Sequence, residues 1–301
     1  MHSETPRGLA ILGPGSIGGA VAVALSQAGR RPTLAARQAP EQVVVHRSGS
    51  TVIGDIDVLV DADRASPCDV LFVAVKAHQT ASASTLLAAL VDDASTVFIC
   101  QNGVEHIERL APHVQPGTTL VPVVVDMPAN RAQPGVVEVG NTAQLTVPHQ
   151  AGELLSSLLA GSFITVRPVE DWLTAAWIKL ALNAAVGGIC TLTRTGNHTL
   201  RDPEIASIAQ AMMAEIVAVG RAEGAALPDD LPDQILSRVQ GSDTNTMSSI
   251  VRDRIAGRPT EWDARNAVIG RTGTRHNIPT PVNDLVTALI SAGEPPTAAN
   301  A

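Results

Sequence analysis

The sequence predicts a chain in two parts: an α/β half built on a mostly parallel, doubly wound sheet, then an all-helical half. Three observations predict this. Short apolar runs alternate with helix-forming segments from Leu9 to Val166. The run Val70–Val75 is continuously apolar, as a strand covered on both faces must be. After Pro168 only helical spacing remains.

Taken in order, Leu9–Leu12 reads as the first strand and Ile17–Ala28 as the first helix, with Gly29 ending it. Pro32–Ala36 reads as the second strand. Val43–His46 and Thr51–Ile53 flank Ser48-Gly49-Ser50 as a hairpin. Val70–Val75 and Val97–Cys100 are buried strands on either side of a helix over Thr80–Leu90. Leu120–Val125 continues the sheet, and Val136–Val139 and Ala143–Val147 are later β elements. A helix over Gly152–Leu159 and a strand over Phe163–Val166 complete this half. The boundary falls at Arg167-Pro168, giving a nucleotide-binding domain over 1–168 and a helical substrate domain over 169–301. Helices are expected over Asp171–Val186, Pro203–Ala222, Leu231–Gln240, Met247–Ile255, Trp262–Thr272 and Val282–Ala292. Pro203, Pro232 and Pro281 each suit a first helical turn. The polar tail Gly293–Ala301 is expected to be disordered.

Bulk properties narrow the function. The chain has 301 residues, of which 45% are hydrophobic, enough for a sizeable core, and a net charge of -8, which argues against a general nucleic-acid or membrane-surface binder. Aromatics are 2% with no Tyr, so base stacking is disfavoured and a tyrosine general acid is excluded. Cys68, Cys100 and Cys190 stand singly, and neither they nor the eight histidines have metal-ligand spacing, so no metal is expected. Met1–Gly8 lacks the apolar core of a signal peptide, and no apolar run is read as long enough to span a membrane. The expected setting is a reducing cytoplasm.

The chemistry begins at Gly13-Pro14-Gly15-Ser16-Ile17-Gly18, directly between the first strand and the first helix. That is dinucleotide-binding spacing. Gly13 permits the turn, Gly15 lets a pyrophosphate approach, and Gly18 lets helix and strand pack closely, while the helix start offers free N–H groups. Arg37, 19 residues beyond Gly18 and with Arg30 and Arg31 nearby, stands where an NAD site carries an acid, and it is either a ligand for the 2′-phosphate of NADP(H), the favoured reading, or a solvated loop charge. Lys76 ends the Val70–Val75 run, either as a first wet residue or as a group in the cofactor crevice. Asn102 ends the next strand, either as a helix N-cap or as a ligand for nicotinamide ribose or substrate.

In the second half Lys179 and Asn183 lie four apart in the apolar Trp172–Ala185 stretch and share a helix face. A lysine there is either a snorkelling side chain or an ammonium that polarises a substrate carbonyl and protonates it as hydride arrives. Ser249 and Asp253 also share a face. Thr260 and Asp263 have capping-box spacing, and Glu261 in that first turn suits the helix dipole.

The ordered set ILGPGSIGG, VAVKAHQ, QNGVE, WIKLALN, NTMSSIVRD, GRPTEWD and IPTPVND resembles the ketopantoate reductase (2-dehydropantoate 2-reductase) family from about Leu9 to Ala292. The resemblance implies a Rossmann domain followed by a helical domain, and NADPH-dependent reduction of a 2-oxo acid to a 2-hydroxy acid. That is the step from 2-dehydropantoate to pantoate in pantothenate biosynthesis. It implies that Lys179 is the catalytic lysine and that Glu261 holds its geometry. Asn102 and Lys76 would lie in the cofactor crevice, with Asn183 and Ser249 on the substrate and Asp253 an acid close by. The nicotinamide would face an interdomain cleft. The expected partner is a small 2-oxo acid, and a homodimer is an admissible assembly. The chain departs from the family at Gly187, where the pattern often has a second asparagine, and over Gly188–Leu200. A related keto acid or ketone therefore stands as an alternative substrate. A β-hydroxyacid dehydrogenase or imine reductase, and a non-catalytic NADP(H) sensor, are competing readings.

Overall fold

The computed structural model describes residues 8–38, 40, 42–241 and 246–295. Most of the Met1–Gly8 leader and residues 296–301 of the tail lie outside the described residues. The chain divides into two compact units: Met1–Gln101 with His106–Trp172, and Asn102–Glu105 with Leu173–Ala301.

In the first unit a six-stranded parallel sheet runs, across its width, through Asp57–Leu59, Thr33–Ala35, Leu9–Leu12, Val70–Val73, Thr96–Ile99 and Thr119–Pro122. Numbered along the chain within this sheet the order is 3-2-1-4-5-6, the doubly wound dinucleotide-binding order. The order reverses between Leu9–Leu12 and Val70–Val73, which pair in register Leu9 to Val70 and Leu12 to Val73. Alternate residues serve opposite faces. Leu9 and Ile11 pack with the helix Ser16–Gln27, while Ala10 and Leu12 pack with Leu87, Leu90 and Leu110. That is why the strands are apolar without alternation.

The helix Ser16–Gln27 is buried from Gly18 to Leu25, on every side. A second sheet explains it. Ala129–Gln133, Val136–Val139, Val44–Arg47 and Ser50–Ile53 form a four-stranded layer whose Val43, Val45, Val137 and Val139 pack on the helix's other flank. The predicted hairpin at Ser48-Gly49 is present, with Val45 opposite Val52. A third, three-stranded sheet joins Thr165–Val169, Gln144–Pro148 and Val124–Asp126.

Several expectations need correction here. Leu120–Val125 is not one strand: Thr119–Pro122 ends the main sheet, and Val124–Asp126 pairs instead with Gln144–Pro148. Pro122, without an N–H donor, is tolerated at that edge. The last strand, Thr165–Val169, starts two residues and ends three residues later than expected and carries Pro168 within it, again at a sheet edge. Thr80–Leu90 is not a single helix. Thr80 Oγ1 and Ser82 Oγ donate to the carbonyls of Ala77 and Gln79, which favours 3₁₀ turns before the α-helix Ser84–Leu90. The exposed edge strand Asp57–Leu59 was missed because it has no buried face to pattern it.

The second unit is helical. Pro203–Ala222 and Leu231–Gln240 match their predicted ends, and Asp202 caps the former by accepting from the backbone N–H of Glu204 and Ile205. Its core gathers Trp177, Leu180, Met212, Met213, Ile216, Ile250, Val268 and Ile290. Two helices here do reach membrane-spanning length, contrary to expectation. Trp172–Thr193 has 22 residues at mean hydropathy 1.5 with 61% buried, and Pro203–Ala222 has 20 at 1.3 with 44% buried. Asn183 conceals the first run in the sequence, and the buried faces of both helices build this core. The first residues of the tail, 293–295, are also better placed than expected. Glu294 Oε2 and Oε1 accept from the backbone N–H and hydroxyl of Thr260 at 2.8 and 2.6 Å, and Oε1 pairs with Arg254 at 3.0 Å.

Candidate functional site

The glycine turn is shaped as its spacing predicts. Gly13 has φ +114, and a Cβ there would lie 2.7 Å from Val75 N. A Cβ on Gly18 would lie 1.9 Å from Gly13 O. Protein packing alone therefore requires both. Gly15 differs: its φ is -75, and an added Cβ would meet only Ala74 O at 3.9 Å. No described residue demands glycine at that point. The helix that follows has no side-chain cap and no acid in its first turn, so the N–H groups of Ser16 and Ile17 lie in an anion cradle. The residues present thus fit a pyrophosphate.

Arg37 is exposed, just past the carboxyl end of Thr33–Ala35 and so at the same edge of the sheet as the turn. Arg30 and Arg31 do not join it. They precede that strand, at its opposite end, where Arg31 pairs with Asp57 at 3.0 Å and Asp55 at 3.6 Å. Lys76 is half-buried beside the turn, one residue beyond Val75, with its backbone N–H donating to Gln79 Oε1 at 3.2 Å. Gln101 ties the neighbouring strand end down by donating to Val75 O and Thr80 Oγ1.

The helical unit holds the second group of residues. Trp177 is buried against Gly220, whose missing side chain admits its ring. Lys179 is two residues on, roughly 200° around the helix, and so emerges from the core half-buried. Asn183 follows on the same face, at a π-helical turn over Leu182–Val186. Asn102 is no N-cap. Its Nδ2 donates to Glu261 Oε2 at 2.9 Å, and its Oδ1 accepts from Asn183 Nδ2 at 3.4 Å. The short segment Asn102–Glu105 is fastened to the helices by this amide, by Glu105 pairing with Arg271 at 2.8 Å, and by Gly103, where a Cβ would lie 2.7 Å from Ala264 O.

Glu261 is 7% exposed and accepts from the Asn102 amide. The capping box predicted at Thr260 and Asp263 does not form. Thr260 bonds to Glu294, and Asp263 Oδ1 accepts from Arg271 Nη1 at 2.6 Å. A second π-helical turn, Asp263–Ala267, lies here instead. The two wide turns are complementary: Arg265 and Asn266 donate to the carbonyls of Asn183 and Ala184. Ser249 is exposed and Asp253 buried. Asp253 Oδ1 is occupied by Arg258 Nε at 3.0 Å.

The sequence reading overlooked Arg265. It is 1% exposed, and its Nη1 donates to Ser249 Oγ at 3.3 Å. Burial pulls its pKa down, against the opposing pull of Glu261 and Asp253. The signal was an arginine four residues after Glu261 and so one helical turn away. The three thiols are buried and free, and burial pushes Cys68, Cys100 and Cys190 up to about 11, 12 and 11.

Comparison with known proteins decides the lineage. The family described as "Ketopantoate reductase PanE/ApbA" matches residues 9–152, and "Ketopantoate reductase PanE/ApbA C terminal" matches residues 171–294. The chain belongs to the ketopantoate reductase family. A 2-dehydropantoate 2-reductase of Caulobacter vibrioides is 38% identical over 94% of this chain and 98% of its own. A PanE/ApbA family ketopantoate reductase from Ralstonia eutropha JMP134 superposes with TM-score 0.87 at 26% identity, covering 95% of this chain and 98% of its own. A dimeric ketopantoate reductase from Staphylococcus aureus shares the fold at TM-score 0.83 and 24% identity, over 95% and 98%. The protein is thus an oxidoreductase acting on CH–OH groups, with a small-molecule substrate. Its family is pyridine-nucleotide dependent.

Proposed function

We propose that this ketopantoate reductase family member reduces a 2-oxo acid to the 2-hydroxy acid with NADPH, and that 2-dehydropantoate is the first substrate to test. One observation carries the reading: Lys179 and Asn183 share a helix face, and Asn183 joins Asn102 and buried Glu261 in one hydrogen-bonded set.

In this reading residues 1–168 hold the nucleotide and 169–301, with Asn102, handle the substrate. Gly13, Gly15, Ser16, Ile17 and Gly18 hold the pyrophosphate, Arg37 the 2′-phosphate, and Lys76 a neighbouring nucleotide group. When bound, the dihydronicotinamide supplies the hydride. Lys179 Nζ hydrogen-bonds the substrate carbonyl oxygen, stabilises negative charge there and gives it the proton that makes the hydroxyl. Glu261 orients that ammonium, and Asn102 fixes Glu261. Asn183 and Ser249 hold the substrate in place. Asp253 serves the site at one remove, by holding Arg258.

Gly187 supports a second reading, a 2-oxo acid other than 2-dehydropantoate, because the amide common at that position is absent. The Staphylococcus aureus relative supports a homodimer, and three free thiols are in keeping with a cytoplasmic setting. The test is NADPH oxidation against a panel of 2-oxo acids beginning with 2-dehydropantoate. Turnover of a panel member is expected. Tight NADPH binding with no turnover on any member would replace the enzyme with a nucleotide sensor.

A further inference from the structure

The space above Gly187 is not empty. A Cβ built there would lie 3.1 Å from Arg265 Nη2, 3.5 Å from Ile250 Cγ2 and 3.6 Å from Ser248 Oγ. An asparagine at 187 would therefore crowd the guanidinium, so Gly187 leaves Arg265 its place. The guanidinium stands at the substrate-facing residues without touching solvent. Nη1 donates to Ser249 Oγ at 3.3 Å and Nη2 to Asn183 O at 3.5 Å, while Nε has no hydrogen-bond partner among the described residues. Ser248 Oγ, in the same wall, is buried and also without one.

We propose that Arg265 is a positioning residue that makes the site select a substrate carboxylate, acting through Ser249. The inference rests on the 2-oxo acid reading above. By donating to Ser249 Oγ, Arg265 occupies the oxygen's acceptor side and leaves the exposed hydroxyl to donate outward. An anion accepts that bond, and the buried cation behind it strengthens it in a low dielectric. The carboxylates that act on Arg265 are Glu261 and Asp253, and Asp253 is shared with Arg258. A neutral amide at position 187 would hold a substrate hydroxyl or carbonyl oxygen without asking for charge. A guanidinium at the same place favours an anionic group.

The experiment compares a 2-oxo acid with its methyl ester under NADPH. The proteins are wild type, Arg265→Met, Arg265→Lys and the double variant Gly187→Asn with Arg265→Ile. Wild type is expected to prefer the acid. In Arg265→Met the KM for the acid should rise at least about tenfold with kcat within about threefold, and the ester's KM should stay unchanged. Arg265→Lys should recover part of the preference. The double variant refills the space with an amide, and should lose the acid-over-ester preference at least about tenfold even if Arg265→Met fails to fold. An unchanged preference in the double variant, or equal losses for acid and ester in Arg265→Met, overturns the role of Arg265. Wild type turning over neither compound would instead sink the 2-oxo acid reading.

Discussion

Gly15 and Gly18 belong to one motif, yet alanine at each should fail for a different reason. Gly15 has φ -75 and ψ -172, which any L-residue adopts, and its new methyl would touch only Ala74 O at 3.9 Å. Two small terms oppose each other in the fold. Alanine restricts the unfolded chain, stabilising by about 0.4–1 kcal/mol, and is a poorer helix N-cap by about 1 kcal/mol. Gly15→Ala should thus keep Tm within about 4 °C of wild type. Its methyl would occupy the approach to the Ser16 and Ile17 N–H groups, and NADPH affinity should fall at least about tenfold, or ~1.4 kcal/mol. Gly18→Ala puts a carbon 1.9 Å from Gly13 O, where only movement of helix against strand can make room. That variant should lose about 1–3 kcal/mol of stability as well as affinity. Thermal melts without cofactor, paired with fluorescence titration by NADPH, separate the two. The reasoning fails if Gly15→Ala binds NADPH like wild type, or if it melts as early as Gly18→Ala.

Lys179→Ala should lower kcat at least about a hundredfold with the protein still folded, and near-normal NADPH oxidation would refute its role as proton donor. Arg37→Ala should weaken NADPH at least about tenfold and NADH by less than about twofold, read by titration of each. Equal losses would mean that Arg37 is only a solvated charge. The buried thiols predict an alkaline weakness. Unfolded cysteine ionises near 9.0, whereas the fold holds the protons of Cys68, Cys100 and Cys190 to about 11, 12 and 11. Between those values the unfolded state binds fewer protons, so stability that is fully present below 9 is lost as pH rises. The slope is about 1.4 kcal/mol per pH unit for each thiol. Urea melts from pH 8 to 10.5 should show the decline, and Cys100→Ala should flatten it.

The α/β half was largely legible because its constraints are local. Gly13 and Gly18 are required by their own turn, and the strands Leu9–Leu12 and Val70–Val73 are apolar throughout because both faces are covered. Even the uncapped start of Ser16–Gln27 follows from neighbours in sequence. Elements with no buried face, such as Asp57–Leu59, carried no such signal. Thr260 misled because its partner, Glu294, lies in a segment that composition alone marks as tail.

By itself the sequence determined the two-part architecture, the glycine cradle and the shared face of Lys179 and Asn183, since each depends on spacing within one turn or one helix. Tertiary structure alone decided what those residues meet. It folded Asn102–Glu105 onto the helical unit, set the amide of Asn102 between Asn183 and Glu261, and brought Arg265 into the space above Gly187. Those partners are separated by tens of residues along the chain, and no local periodicity records a contact that only packing creates.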